Sequence, residues 1–182
     1  MPPELRMRGT MGLLDGWRYC PRCGSSATRA DGCSTCSACG FQVWAASIPG
    51  VQGLAVDDTG RVLLGRRTTS PGSGLWDIPG GFLDEGEDAV EGLLREFAEE
   101  TGLIVEVDAF LGIWIESYGT RFVHCATWIV RPIGGQLKAS DDLAHVEWFA
   151  PHDLPAAGDF AFPTHPEILS DWSGKQTNAG PQ

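Results

Sequence analysis

Residues 81–103 read GFLDEGEDAVEGLLREFAEETGL, and this stretch decides the fold expected for the 182-residue chain. Asp88, with Glu91 three residues later, has the spacing of a helix start in which the first side chain caps free backbone N–H groups. Gly102 suits the left-handed residue that follows a helix end. The sequence therefore predicts a helix over residues 89–101.

Three glutamates share one side of the predicted helix. Glu96, Glu99 and Glu100 are separated by spacings that place side chains one above another. Like charges so placed destabilise an isolated helix, so the cluster needs a compensating cation. Carboxylate oxygens are the ligands that Mg²⁺ or Mn²⁺ prefers, and the pattern therefore predicts a divalent-metal site. A solvated acidic helix face is the alternative interpretation.

Two glycines and an arginine extend this pattern. Gly80 and Gly81 lie just before the helix, where paired glycines let the backbone approach a ligand closely. Arg95 lies one turn before Glu99, and a pair between Arg95 and Glu87 would hold the preceding loop against the helix.

These residues and their spacing resemble the Nudix box, the signature of hydrolases that cleave a nucleoside diphosphate linked to another moiety. The resemblance implies an α/β fold, the Nudix α/β/α sandwich with a mixed sheet. It implies metal-assisted attack of water on a phosphorus of a diphosphate, with a carboxylate as the general base. The matching positions are the Mg²⁺ or Mn²⁺ ligands and catalytic residues Glu96, Glu99 and Glu100, and the structural residues Glu87, Arg95 and Gly81. Which carboxylate is the base stays open.

Five further residues are candidates for the site. Asp142 stands near the position where the family commonly places another acidic ligand or the base; a simple turn residue is the alternative. Arg66 and Arg67 follow a predicted strand and are candidates for phosphate contacts, with a solvated surface pair as the alternative. Trp76 and Tyr118 are candidates for stacking on a base, with core or loop packing as the alternative.

Four cysteines form a second group of candidate metal ligands, separate from the glutamates. Cys20 and Cys23, and Cys36 and Cys39, are two C-x2-C pairs, each followed by glycine. Two such pairs close a tetrahedral Zn²⁺ site of thiolates, which has a structural role because no coordination position stays open. Cys33 with Cys36 is also a C-x2-C, but it lacks the following glycine, so the participation of Cys33 stays open.

The combination resembles the zinc-ribbon NADH pyrophosphatase group. Residues 114–124 read WIESYGTRFVH, however, and the Ser-Gln-Pro-Trp array of that group is absent. The substrate is therefore expected only as a class, of the NADH, ADP-ribose or dinucleoside polyphosphate type. The alternatives are a non-catalytic nucleotide-binding regulator on the same fold and an RNA decapping activity.

Strand-forming and helix-forming segments give the remaining organisation. Four domain segments are expected: an N-terminal extension, a zinc ribbon, a Nudix domain and a flexible tail, at residues 1–16, 17–44, 45–172 and 173–182. Strands are predicted by β-branched and aromatic content at residues 51–56, 61–65, 104–107, 110–116, 122–130 and 146–149, and a terminal helix at 166–172.

Charge and hydropathy restrict the partners. The net charge of −11 argues against broad electrostatic binding of nucleic acid but not against a small anionic nucleotide derivative held through metal ions. No stretch has the length and hydropathy of a membrane span, and a cytoplasmic location is expected. A homodimer is kept as an expectation without a sequence signal.

Overall fold

The computed structural model describes residues 13–178, which divide into two compact units. The first unit comprises residues 13–47 and 118–122, and the second comprises residues 48–117 and 123–178. Within the described residues, every helix is too short or too polar to cross a bilayer. The first 12 residues and the last four of the chain, which belong to the predicted extension and tail, lie outside the described residues.

The first unit is built on a small antiparallel sheet in the order β1-β2-β3. Its strands are β1 (Ala27–Ala30), β2 (Cys33–Cys36) and β3 (Gln42–Trp44). Asp31 and Gly32 join β1 to β2 with φ values of 51° and 76°. Two left-handed residues form the tight turn whose twist matches that of the flanking strands, so this turn sets the register that leads into Cys33.

The second unit is a layered α/β structure. Its elements are β4 (Ile48–Ala55), β5 (Val62–Arg67), β6 (Trp76–Asp77), β7 (Gly80–Phe82), α1 (Ala89–Thr101), β8 (Leu103–Tyr118), β9 (Arg121–Gly135), β10 (Leu143–Phe149) and α2 (Thr164–Asn178). The strands form two sheets, in the orders β7-β4-β9-β8 and β10-β5-β6. Strand β4 pairs parallel with β9 and antiparallel with β7, so the expected mixed sheet and α/β class are confirmed.

Two apolar clusters fasten the helices to the sheets. Helix α1 contributes Leu93 and Phe97, both fully buried, to a cluster with residues of β4, β8 and β9. Helix α2 contributes Ile168, Leu169 and Trp172 to a second cluster with residues of β4, β5 and β8. Each such buried side chain stabilises the fold by about 1.5–3 kcal/mol, so both helices have fixed orientations.

Most observed elements run beyond their predicted bounds, and two of the differences are large. Strand β8 runs unbroken through Asp108 and Ala109, where the sequence predicts a break between two strands. Pairing with β9 along the sheet overrides the low strand preference of these two residues. Helix α2 continues to Asn178, beyond the predicted end at Trp172.

Candidate active site

Helix α1 begins and ends where its capping residues place it. The Asp88 side chain accepts hydrogen bonds from the backbone N–H groups of Val90 and Glu91, at 2.8 and 3.4 Å. Gly102 has a φ of 69°, and its N–H donates to the Ala98 carbonyl at 3.0 Å. Both caps satisfy backbone groups that a helix end leaves free, so the glutamate-bearing face has a defined position.

Arg95 lies at the centre of the acidic face. Its guanidinium donates to both carboxylate oxygens of Glu87, at 2.7 and 2.8 Å, so the loop before α1 is tied to the helix. The same group donates to Glu96 at 2.9 Å, to Glu99 at 3.2 Å and to the Phe82 carbonyl at 3.2 Å. The hydrogen bonds from Arg95 lower the pKa of Glu87 to about 2.

Glu100 is the buried member of the acidic face. Its side chain is 3% exposed and accepts a hydrogen bond from the backbone N–H of Gly80 at 2.8 Å. Burial raises the pKa of Glu100 to about 9, although the Gly80 hydrogen bond opposes the shift. A carboxyl group held in this way ionises readily when a cation lies beside it, as expected of a metal ligand.

Glu96 packs directly against the glycine loop. A Cβ atom added at Gly81 would lie 2.4 Å from the Glu96 carboxyl carbon, so only glycine leaves this carboxylate in place. Burial also raises the pKa of Glu96, and the charge of Asp141 adds to the shift. The segment that carries Asp141 is held at the end of α1, where the Ser140 N–H donates to the Glu100 carbonyl at 2.9 Å.

The three glutamates offer the hard oxygen ligands that Mg²⁺ or Mn²⁺ requires. In the structure their carboxylates are divided between two sets of donors, because Glu96 and Glu99 bind Arg95 while Glu100 binds the Gly80 N–H. The oxygen donors suit a divalent cation, but within residues 13–178 the three carboxylates do not converge on one point, and Arg95 balances the charge of two of them.

Asp142, the candidate outside the box, faces the loop at residues 68–74. Its carbonyl accepts from the Thr68 N–H at 2.8 Å, and its carboxylate accepts from the Thr69 hydroxyl at 3.4 Å. The neighbouring Asp141, whose φ is 50°, is the acidic residue whose charge acts on Glu96. The Asp142 carboxylate therefore contacts the 68–74 loop, while the charge of Asp141 acts on Glu96.

Of the candidates for substrate binding, Arg66 and Trp76 lie together. The Arg66 guanidinium is exposed and stands 4.4 Å from the centre of the Trp76 ring. Trp76 is 6% exposed, and its ring meets Phe149 edge-on at 4.8 Å, so the indole is largely enclosed by protein. Tyr118 falls in the first compact unit, whereas the other three candidates lie in the second.

Arg67 is buried in a network of ionisable groups. It donates to Asp77, and Asp77 Oδ1 lies 3.4 Å from His165 Nε2. The same His165 nitrogen lies 3.5 Å from a Glu116 oxygen, which accepts from the Thr164 hydroxyl at 3.0 Å. Burial raises the pKa of Asp77 against the opposing pull of His165 and Arg67.

The sequence alone does not predict this network. Asp77 and Glu116 lie inside strands, where an isolated acidic residue is expected to face solvent. His165 has no motif around it. The network bears on the site because the charge of Asp77 also raises the pKa of Glu100. Arg67 is thus buried, where it donates to Asp77 and to the Pro71 carbonyl.

The four predicted zinc ligands converge in the first unit. The ligand sulfurs of Cys20, Cys23, Cys36 and Cys39 all lie within 4.8 Å of one another. Cys20 and Cys39 are 3.7 Å apart and Cys23 and Cys36 are 3.6 Å apart, close to the spacing of about 3.8 Å for thiolates about 2.3 Å from one Zn²⁺. The Cys33 sulfur instead contacts the Thr35 hydroxyl at 3.7 Å. In residues 13–178 this is the one group of three or more Cys, His, Asp or Glu with convergent ligand atoms.

Comparison with known proteins identifies the family of the chain. The NUDIX domain profile matches residues 47–171. An ADP-ribose pyrophosphatase of Methanocaldococcus jannaschii is 36% identical over 124 residues, which cover 67% of this chain and 70% of that protein. A CTP pyrophosphohydrolase of Escherichia coli is 29% identical over 99 residues, covering 54% and 73%. A crystal structure of a Nudix hydrolase from Nitrosomonas europaea superposes with a TM-score of 0.77 at 20% identity, covering 90% of this chain and 94% of that one.

These matches show that the chain is a pyrophosphohydrolase, which is a class of enzyme. The profile spans more than half of the sequence, and the archaeal relative is matched over more than two thirds of its length. The chain belongs to the Nudix family, whose enzymes typically use Mg²⁺ or Mn²⁺. The expectation of a Nudix fold is confirmed.

Proposed function

We propose that this enzyme hydrolyses the pyrophosphate linkage of a nucleoside diphosphate joined to another moiety, with Mg²⁺ or Mn²⁺ as cofactor. The observation that carries the proposal is the acidic face of α1, where Glu96 and Glu100 lie against the Gly80–Gly81 loop and Glu99 binds Arg95 beside them. ADP-ribose is the first substrate to test, because an archaeal relative bears that name. NADH and dinucleoside polyphosphates belong to the same chemical class.

In this proposal Glu96, Glu99 and Glu100 hold the divalent cation. When bound, the cation neutralises charge on the phosphate oxygens and lowers the pKa of the attacking water. Gly81 leaves room for the Glu96 carboxylate, and Arg95 with Glu87 keeps the loop and the helix in register. Each side chain thus has a role that follows from its contacts.

The general base is assigned to the acidic set around Glu96. Glu96 and Glu99 are both candidates because each is at least partly exposed, whereas Glu100 is buried. Asp142 stays a candidate by its position in the chain, and Asp141 joins it because its charge reaches Glu96. Separate Asp141→Asn and Asp142→Asn variants test the two aspartates: a variant that loses kcat and its pH dependence identifies the base, and retention of both properties in the two variants leaves Glu96 and Glu99.

For substrate contacts, Arg66 is the stronger of the two adjacent arginines. It is exposed and held by the Gly74 carbonyl at 2.8 Å, so its charge is available to a phosphate group near the loop. Arg67 and Trp76 support this arrangement from the interior, since both are buried. Tyr118 remains a proposed base-stacking residue.

The finer assignments remain proposals as well. A structural Zn²⁺ in the four-cysteine cluster fits the resemblance to the NADH pyrophosphatase group. The missing Ser-Gln-Pro-Trp array weighs against NADH as the preferred substrate within that group. A homodimer and a cytoplasmic location stay predictions.

The test is a metal-dependent activity screen. Purified full-length protein is incubated with ADP-ribose, NADH, diadenosine tetraphosphate, CTP or capped RNA, with Mg²⁺, Mn²⁺ or a chelator, and the released monophosphate is quantified. We expect release of AMP from at least one dinucleotide or ADP-ribose substrate when metal is present. Glu100→Gln should lower kcat by about 10³-fold or more, because it removes a charged ligand of the metal that stabilises the transition state.

Glu91→Gln is the matched control, because Glu91 is exposed on the same helix and lies outside the acidic face. Its kcat should stay within about twofold of the parent value, as for a surface change away from the site. Release of pyrophosphate from CTP alone, or cleavage of capped RNA alone, would replace the proposed substrate class. Equal losses of activity in both glutamine variants would contradict the assigned site.

A further inference from the structure

A short segment of chain connects the buried network to the acidic face of α1. Asp77 is buried at one end of this segment, and at the other end the Gly80 N–H donates to Glu100 at 2.8 Å. Gly80 passes so close to β4 that an added Cβ atom would lie 2.2 Å from a backbone oxygen of that strand. The Gly80 N–H therefore has a narrowly defined position, and only two residues separate it from Asp77.

Asp77 is held from two sides by different elements. Its Oδ2 accepts from Arg67 of β5, and its Oδ1 lies 3.4 Å from His165 Nε2 at the start of α2. Arg67 is itself fixed, since its Nε donates to the Pro71 carbonyl at 2.8 Å. A buried carboxylate is costly unless it is paired, so the loss of either partner is expected to displace Asp77.

The same histidine reaches a second carboxylate. His165 Nε2 lies 3.5 Å from a Glu116 oxygen of β8, and that oxygen also accepts from the Thr164 hydroxyl at 3.0 Å. Strands β6 and β8 belong to different sheets of the second unit. The first turn of α2 therefore joins the two sheets beside the segment that leads to Gly80.

His165 is a costly residue to bury if it serves only to dock α2. Its side chain is fully buried, and neither ring nitrogen has a hydrogen-bond partner among the described residues. Helix α2 is already held by the apolar side chains of Ile168, Leu169 and Trp172. A buried ionic group often adds less stability than an apolar group of the same volume, but it can fix one arrangement of its neighbours. The imidazole therefore indicates a requirement for position.

We propose that Asp77 and His165 are positioning residues of the hydrolase, which hold the segment between them and Gly80 so that the Gly80 N–H stays on the Glu100 carboxylate. Neither side chain contacts substrate in this arrangement. The inference rests on the proposed function, because that function makes Glu100 a metal ligand. Replacing a residue that orients a metal ligand commonly changes metal affinity or activity by about 10- to 100-fold.

Three variants of the full-length protein test the inference. His165→Leu removes the imidazole at similar volume, and His165→Gln keeps a nitrogen that can donate to Asp77. Trp172→Phe is the matched control, because Trp172 is buried in the same helix and lies outside the network. The changes are made at His165 because the charge of Asp77 also raises the pKa of Glu100, so a change at Asp77 would have two effects.

Hydrogen exchange measured by NMR reports on the Gly80 N–H in the metal-free protein. We expect His165→Leu to lower the protection of this amide about tenfold or more, because a local opening releases its hydrogen bond to Glu100. His165→Gln should restore most of the protection. Trp172→Phe should keep it, although this variant should be less stable to urea.

Mn²⁺ binding, measured by electron paramagnetic resonance of the free ion, is a second readout that needs no substrate. The dissociation constant should rise about 10- to 100-fold in His165→Leu. It should stay within about twofold of the parent value in Trp172→Phe, as for a change away from the site. With a substrate identified in the activity screen, His165→Leu should lower kcat and leave KM unchanged, because His165 does not contact substrate.

The outcomes separate this inference from the proposed function. Equal Gly80 protection and equal Mn²⁺ affinity in His165→Leu and Trp172→Phe would overturn the inference and leave His165 with the docking of α2 alone. A parent protein that hydrolyses no substrate, but in which His165→Leu changes both properties, would contradict the proposed function and support the positioning role. A parent protein that binds no Mn²⁺ would refute both.

Discussion

The two proposed metal sites of this protein are organised in opposite ways. In the first unit, four cysteine sulfurs lie within 4.8 Å of one another with no basic side chain between them. In the second unit, the carboxylates of Glu96 and Glu99 are held by Arg95, and Glu100 is held by a backbone N–H. One site is a closed set of ligands, and the other is a set of charges already balanced by an arginine.

The difference reflects what each ion must do. A structural zinc site takes all its ligands from the protein and organises a unit with little apolar core, so convergence of the sulfurs is part of the fold. A catalytic Mg²⁺ keeps positions for water and substrate and uses few protein ligands. Arg95 binds Glu87, Glu96 and Glu99, so part of the charge of the acidic face is balanced within the protein.

The largest expected effect is on zinc and separates Cys36 from Cys33. Purified protein should contain about one zinc per chain by elemental analysis. Cys36→Ser should abolish zinc retention, because a closed thiolate site contributes an apparent 10–16 kcal/mol, to order of magnitude, through binding. Cys33→Ser should keep the ion, because its sulfur contacts Thr35 and lies outside the cluster. Zinc loss in both variants would make Cys33 a ligand.

Each site can be predicted from the sequence only as far as its residues form a local pattern. The Cys20 and Cys36 pairs, and the caps of α1 at Asp88 and Gly102, are local patterns whose geometry follows from spacing alone. The same holds for the pair of Glu87 with Arg95, which spans one loop and two helical turns. Local patterns of this kind carry most of the fold and the core of the candidate site.

The buried network could not be predicted from the sequence, because it joins the paired strands β5 and β6 to two segments that are distant in the chain. Arg67 and Asp77 meet Glu116 of β8 and His165 of α2 only after both sheets and α2 have packed, and no motif surrounds Glu116 or His165. The electrostatic effect of Asp141 on Glu96 likewise joins two residues that are far apart in the chain.

The second largest effect concerns the stability of the metal-free enzyme. Because the folded-state pKa of Glu100 is raised from 4.5 to about 9, the unfolded chain loses this proton first, and stability falls as pH rises from 4.5 toward 9. Glu100→Gln removes the titration. It should raise the free energy of unfolding, measured in chelator, by about 3 kcal/mol at neutral pH. This figure is about 1.4 kcal/mol for each pH unit between the ordinary pKa of 4.5 and neutral pH.

Urea unfolding at several pH values measures this effect, and the gap between the two proteins should close near pH 4.5. Glu91→Gln, on the same helix, should show no such pH dependence. Added Mg²⁺ should stabilise the parent most at high pH and leave Glu100→Gln nearly unchanged. A variant less stable than its parent at neutral pH would mean that Glu100 is ionised in the metal-free fold.

The third effect tests how closely the acidic face is packed. Gly81→Ala places a methyl group 2.4 Å from the Glu96 carboxyl carbon, so the carboxylate must move. We expect kcat to fall about 10- to 100-fold, the scale for a displacement of about 1 Å at a reacting centre. Gly158→Ala is the control, because an added methyl there meets no atom within 4 Å. Unchanged kcat in Gly81→Ala would remove Glu96 from the metal-binding set.

The smallest effect isolates the internal counter-ion of the acidic face. Arg95→Lys keeps one positive charge but loses the fork that binds both oxygens of Glu87 and reaches Glu96. We expect a loss of about 1–2 kcal/mol in the free energy of unfolding, since hydrogen bonds between charged groups contribute about 1.5–3 kcal/mol and lysine keeps part of them. The change should be largest in chelator, where Arg95 alone balances the face.

Arg61→Lys is the matched control for this last change. Arg61 also binds a carboxylate through two nitrogens, that of Asp57, but its side chain is 47% exposed against 30% for Arg95. An exposed pair contributes about 0.2–1 kcal/mol, so Arg61→Lys should cost less than Arg95→Lys. Equal losses would show that Arg95 forms an ordinary surface ion pair, and the contrast between a self-balanced acidic face and a closed cysteine site would then rest on the cysteines alone.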